Sequence, residues 1–204
     1  MKKLLLFILS AVFANTIFAK ELIAGWYIKK ENPDTIKCQI EVPKNLDLFD
    51  KVSMIDSLGN EMTFQARNRE IVAFGFKYKG DQYNYILKRD MTHPSASFYQ
   101  DYNSSFCFLQ LLVRGPKLNL YSSFSHSGGS VAYKWLGGST VNRIENYFIE
   151  DMNKNKVSVY TGTRYKKDIK EFLNNDEHLI NLFDQVVLSF KDIPRFVSDV
   201  NNNQ

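Results

Sequence analysis

The sequence predicts an α+β fold: an antiparallel meander sheet, curled or barrel-like, with a C-terminal tail of two to three helices packed on it. Three observations carry this reading. Between Glu21 and Thr161, apolar residues recur at every second position in short runs separated by turn residues, the pattern of strands with one buried face. Phe106 to Val113 is an almost unbroken apolar run, which predicts a central strand buried on both faces. Beyond Lys166 the apolar period changes to that of a helix.

The strands follow in order. Glu21 to Lys30 is rich in β-formers, and Asn32-Pro33-Asp34 turns the chain. Ile36, Cys38, Ile40 and Val42 then alternate with Lys37, Gln39 and Glu41, until Pro43 and Asn45 end the strand. A second hairpin surrounds Ser57-Leu58-Gly59-Asn60, between Val52–Asp56 and Met62–Gln65. In the third, Val72, Phe74, Phe76 and Tyr78 share a face, Lys79-Gly80-Asp81 turns, and Tyr83, Tyr85 and Leu87 share a face of the return strand. Aromatic pairs across such a hairpin contribute roughly 0.2–1 kcal/mol each. Asp90 to Ser105 is polar and reads as a loop. After the central run, Arg114-Gly115-Pro116-Lys117 turns into Leu118 and Leu120, with Phe124 as a further candidate for that strand, and Ser122 to Thr140, with Gly128-Gly129 and Gly137-Gly138, reads as a second loop. Tyr147–Glu150 and Val157–Thr161 make a last hairpin about Asn153-Lys154-Asn155.

The tail reads as helices. Ile169, Phe172 and Leu173 have helical spacing. Asn174 with Glu177 three residues later resembles a capping box, and Leu179, Ile180, Leu182, Phe183, Val186 and Val187 form the stripe that follows. Asp192-Ile193-Pro194 opens a third helix, since Asp caps well and Pro is tolerated in a first turn. Ile193, Phe196, Val197 and Val200 form its apolar face, and Asn201 to Gln204 reads as a frayed end.

The first residues predict export. Met1-Lys2-Lys3 is a positive start, Leu4 to Phe13 is apolar apart from Ser10, and small residues follow at Ala14 and Ala19, the layout of a secretory signal. The run is too short for a stable membrane anchor, which needs about 20 apolar residues. Cleavage is expected after Ala19, with Ala14 as the alternative. No Cys follows the run, so a lipoprotein is not expected. The expected organisation is a signal peptide at 1–19, a β-rich domain at 20–163, and a helical tail of the same domain at 164–204. Later apolar runs are too short for a helical membrane span. The helical tail and the lack of outward aromatic girdles argue against a transmembrane β-barrel. Losing Lys2 and Lys3 takes the 26 basic residues to 24 against 22 acids. That near-neutral balance gives no reason to expect nucleic acid. Cys38 and Cys107 are free to pair in an oxidising compartment. Each also lies in an apolar run that suits a buried thiol, and separate thiols are the expectation.

Several segments together resemble a family of uncharacterised exported proteins of Bacteroidetes-type bacteria. They are Pro33-Asp34-Thr35-Ile36, Ile71-Val72-Ala73-Phe74 with Tyr83 and Tyr85, Phe106 to Leu120, Lys167 to Leu173, and Asp192 to Val197. The chain departs from that pattern with Asn32-Pro33 where Gly-Asp is common, and with Asn174-Asn175-Asp176 where Asp-Cys-Pro is common. The resemblance implies fold and export, and no chemistry.

Catalytic motifs are missing: there is no G-x-S-x-G elbow, no H-E-x-x-H and no P-loop. His93 reads as a solvated loop residue and His178 as a surface residue in a helix's first turn. Ser125 and His126 are adjacent, and neighbours rarely present nucleophile and base to one point. Glu150-Asp151 and Asp176-Glu177 read as acids of a turn and of a helix N-terminus. Arg164, Lys166, Lys167 and Lys170 are a candidate anion patch, or simply a solvated helix face. No metal, cofactor or catalytic residue is expected. A ligand contact is placed on His126, Tyr133, Lys134 and Trp135, because Trp and Tyr beside a cation suit binding. The opposing reading folds Tyr133 and Trp135 onto the core as a short strand. The expected function is a non-enzymatic, periplasmic or secreted cell-envelope module that binds a protein, glycan or small ligand. The alternatives are a hydrolase whose site assembles only in three dimensions, and a structural envelope protein.

Overall fold

The computed structural model describes residues 21–42, 50–89, 106–127, 142–152, 156–160, 165–173 and 176–202. Its strands are β1 (Leu22–Lys29), β2 (Thr35–Glu41), β3 (Lys51–Ile55), β4 (Glu61–Gln65), β5 (Ile71–Tyr78), β6 (Asp81–Arg89), β7 (Phe106–Val113), β8 (Leu118–Ser127), β9 (Asn142–Asp151) and β10 (Lys156–Tyr160). Its helices are α1 (Tyr165–Phe172), α2 (Glu177–Val186) and α3 (Ile193–Asn202), with 3-10 turns at Ala66–Asn68 and Phe190–Asp192.

The strands form one open antiparallel sheet in the order β10-β9-β8-β7-β6-β5-β1-β2-β3-β4. It is a meander with one departure: β1 sits between β2 and β5, so the chain returns from the β4 edge to the middle through the 3-10 turn. That return requires curvature. Three strand spacings separate β1 from β4, about 14 Å in a flat sheet, yet the Tyr27 and Phe64 rings lie 5.5 Å apart. The curl wraps Ile40, Val52, Met54, Phe74 and Phe76 into one core. The expected aromatic pairs cross the β5–β6 hairpin, with Phe74 stacked on Tyr85 at 4.8 Å and Phe76 on Tyr83 at 5.4 Å. Lys79 and Gly80 both have positive φ (50° and 97°), as a two-residue turn matched to strand twist requires. The central run behaves as expected, with Cys107, Phe108 and Leu109 buried although consecutive side chains point to opposite faces.

The tail docks on the same sheet. Ile169, Phe172, Phe183, Phe196, Val197 and Val200 join Leu118, Leu120, Tyr147 and Ile149 in a second core. A single cross-strand row links the two cores, running Tyr27, Phe74, Tyr85, Gln110, Ser122, Tyr147. Gln110 and Ser122 are its polar break, and the buried Ser122 hydroxyl has no hydrogen-bond partner.

Four local expectations are corrected. Ser122 to Ser127 is not loop, because β8 continues to Ser127, where it pairs with Asn142 of β9. The cap of α2 is Asp176 rather than Asn174, its carboxylate accepting from Leu179 N at 3.1 Å. The third helix begins at Ile193 with Pro194 in its first turn, as expected, and only Asp192 differs: it ends a 3-10 turn in which it and Ser189 bond reciprocally. Asn201 is no frayed end: it is buried against the sheet.

Candidate functional site

Alternation along β8 and β9 sends Leu120 and Ile149 toward the helices, and Tyr121, Phe148 and Glu150 to the other face. There Tyr121 and Phe148 pack with Cys107 and Leu109. Glu150, beside them, is an acid in an apolar position, and burial requires partners. It has three. Lys88 Nζ lies 2.7 Å from Oε1. Tyr121 donates its hydroxyl to Oε2 at 2.6 Å, and Asn119 donates Nδ2 to the same oxygen at 3.2 Å. Asn119 is held in turn by Gly115 N, which donates to its Oδ1 at 3.2 Å. Lys88 Nζ also sits 5.0 Å from the centre of the Tyr121 ring. The network ties β6, β8 and β9 together.

Its electrostatics are decided by competition. Burial alone raises the pKa of Glu150, but the bonds from Lys88, Tyr121 and Asn119, with the lysine charge, outweigh it and hold the carboxyl below its ordinary value. Burial, and then the Glu150 carboxylate, push the Tyr121 phenol well above its ordinary value. The pair is therefore an ionised acid and a protonated phenol. An ionised carboxylate engaged by three donors has no proton to deliver as a general acid. The arrangement braces the sheet and exposes part of one cation, Lys88. Sequence reasoning read Glu150 as a solvated turn acid, which the structure corrects. The signal was available: Glu150 follows Phe148 by two and so shares its buried face.

The sequence candidates distribute as follows. The His126 backbone lies in β8, paired with Arg143. Tyr133, Lys134 and Trp135 lie outside the described residues, as do His93 and Arg164. His178 is exposed in the first turn of α2. The tail lysines are partly neutralised, with Lys170 2.7 Å from Asp184 and Lys167 3.6 Å from Glu171. An open depression of about 500 Å³ lies among Lys166, Lys170 and Ile180. Cys38 and Cys107 are buried thiols on opposite faces of the sheet, which keeps them apart. Burial pushes the Cys38 thiol up to about 11. Among the described residues no group of three or more His, Cys, Asp or Glu could hold a metal ion, and no helix is long and apolar enough to cross a membrane. Comparison with known protein families, curated proteins and solved structures returns no match.

Proposed function

We propose that the protein is a non-enzymatic module of the cell envelope, exported by its N-terminal signal, that binds a protein or glycan through the connection between β8 and β9. The observation that carries this reading is the β8–β9 ladder. It runs through ten residue pairs, from Leu118 and Asp151 to Ser127 and Asn142, and the helices pack against its base. A long, braced hairpin of this kind is a scaffold, and binding residues concentrate on loops that a rigid scaffold positions. The connection it carries, 128–141, holds Tyr133, Lys134 and Trp135 between glycine pairs.

Export is compatible with the way Glu21 is held. Val42 N donates to Glu21 O at 3.0 Å, and the Tyr78 hydroxyl to Glu21 Oε2 at 3.0 Å. Cleavage after Ala19 would leave one residue before this anchored position. The resemblance to exported Bacteroidetes-type proteins belongs to the same reading. A hydrolase is less well supported among the described residues, because Glu150 is fully engaged and the buried Ser122 hydroxyl has no hydrogen-bond partner to activate it.

Crosslinking in the native cell envelope tests the proposal, comparing the natural chain with a Tyr133→Ala/Trp135→Ala variant. The natural chain should give a discrete adduct that the variant loses while remaining folded. Equal adducts from both, or none from either, would remove the loop from the site. Intact mass of the exported protein should begin near Lys20, and a mass that retains Met1 to Phe13 would overturn export.

A further inference from the structure

We propose that Arg69 and Arg89, brought together at Phe106, form a surface site for a phosphate-type anion. The inference stands independently of the β8–β9 connection.

The first observation is backbone conformation. Arg69 closes the 3-10 turn Ala66–Asn68 with φ 57° and ψ 27°, its N–H donating to Ala66 O at 3.1 Å. This left-handed conformation is disfavoured for a residue with a β-carbon, and glycine is the usual occupant of such a cap. Arginine has no short polar side chain to bond the local backbone in compensation. Strained positions of this kind concentrate where function holds them.

The second observation is where that backbone sends the side chain. The Arg69 guanidinium carbon lies 4.8 Å from the centre of the Phe106 ring. Arg89 is the direct cross-strand partner of Phe106, so the two side chains leave the same face of the sheet. Both arginines are exposed. One guanidinium thus lies over the ring, and a second arginine leaves the neighbouring cross-strand position on the same face.

The third observation is the counter-charge. Among the described residues, no carboxylate forms an ion pair with either arginine. Glu70, next in sequence, accepts instead from Asn68 Nδ2 at 3.1 Å. Its backbone oxygen accepts from Lys30 N at 2.9 Å, and Lys29 pairs with Ile71 beside it, so the backbones of two lysines lie at the same end of the β1–β5 pair. The cations outnumber the single Glu70 carboxylate beside them, and a bound anion relieves their mutual repulsion. A guanidinium fork matches the oxygens of a phosphate group two at a time. An aromatic ring beneath one fork restricts it in advance, which lowers the ordering cost of binding. The chemistry suits a phosphate monoester or diester, free or as a lipid headgroup.

The test is a titration with inorganic phosphate, read by nuclear magnetic resonance at the arginine side chains and the Phe106 amide. It is joined by sedimentation with phosphatidylglycerol vesicles, against phosphatidylcholine vesicles as control. Saturable shifts at these three residues are expected. Arg69→Gly suits the backbone, so this variant should fold with an unchanged or higher melting temperature while binding at least tenfold more weakly. Arg89→Gln should weaken binding similarly, whereas Lys167→Gln, which removes the same charge elsewhere, should not. Phosphate binding without vesicle binding would assign a soluble ligand, and binding to both would assign a headgroup. No saturable response to either probe would overturn the site. So would unchanged binding in Arg69→Gly, or an equal loss in Lys167→Gln.

Discussion

Asn201, in the last turn of α3, hydrogen-bonds both backbone groups of Leu118 at the start of β8. Its Oδ1 accepts from Leu118 N at 3.0 Å and from Lys117 N at 3.2 Å, and its Nδ2 donates to Leu118 O at 2.9 Å. A side-chain amide thus supplies what a neighbouring strand would supply to a sheet. Gly115 makes room for it, since a β-carbon there would collide with the Asn201 amide. The latch joins chain segments 83 residues apart.

Asn201→Ala should therefore destabilise the fold by roughly 2–4 kcal/mol, because buried backbone groups left without partners cost about 1–3 kcal/mol each. Gly115→Ala should act on the same contact, so the double variant should cost clearly less than the sum of the two. Urea unfolding of the three variants measures this. Strict additivity would show that the two residues do not share one latch.

Phe183→Ala should cost about 3–5 kcal/mol, the range for a buried aromatic side chain. Phe183 is fully buried, edge-on to Phe196 with ring centres 5.2 Å apart. A loss under about 0.5 kcal/mol, typical of surface positions, would mean that α2 does not pack on the sheet.

Thiol labelling after denaturation without reductant should count two reactive groups, Cys38 and Cys107. In the native protein both should react slowly. Cys38 is buried beside Met54, with Sγ and Sδ 3.8 Å apart, and its raised pKa leaves little thiolate at neutral pH. A count of zero after denaturation would establish a disulfide and contradict their placement on opposite faces.

What the sequence disclosed was local. Alternation at Ile36, Cys38 and Ile40, and the stripe Ile193, Phe196, Val197 and Val200, are periodicities within one element, so strands and helices could be placed from them. The insertion of β1 between β2 and β5, and the curl that brings Tyr27 to Phe64, depend on long-range pairing. The network at Glu150 was hidden for the same reason, since its lysine lies 62 residues away. A buried acid within an alternating strand announces that a partner exists without saying which. Asn201 was misread because polar terminal residues are usually solvent-exposed, and only its contact with Leu118 distinguishes it. The proposed contacts Tyr133, Lys134 and Trp135 fall outside the described residues.

The Glu150 network should give stability a pH dependence on both sides of neutrality. The folded-state pKa of Glu150 is lowered, so its contribution is fully present above the unfolded value of about 4.3 and is lost as pH falls from there through the folded value. The folded-state pKa of Tyr121 is raised, so its contribution is fully present below about pH 10. It is lost as pH rises toward the folded value, because between the two values the folded state holds the proton more tightly. Glu150→Gln should cost roughly 1–3 kcal/mol at pH 7, for the lost charge-assisted bonds to a half-buried lysine. It should also flatten the loss of stability between about pH 5 and 3. Asp56 and Asp192, whose pKa values are also lowered, keep part of that acid slope. Tyr121→Phe should cost about 1–2 kcal/mol and flatten the alkaline side. Because it also removes one of the bonds that lower the Glu150 pKa, it should make the acid side shallower, though less so than Glu150→Gln. Urea unfolding of the three proteins from pH 3 to 11 separates these effects. An acid slope in Glu150→Gln identical to that of the natural chain would mean that Glu150 is not the ionised centre of the network.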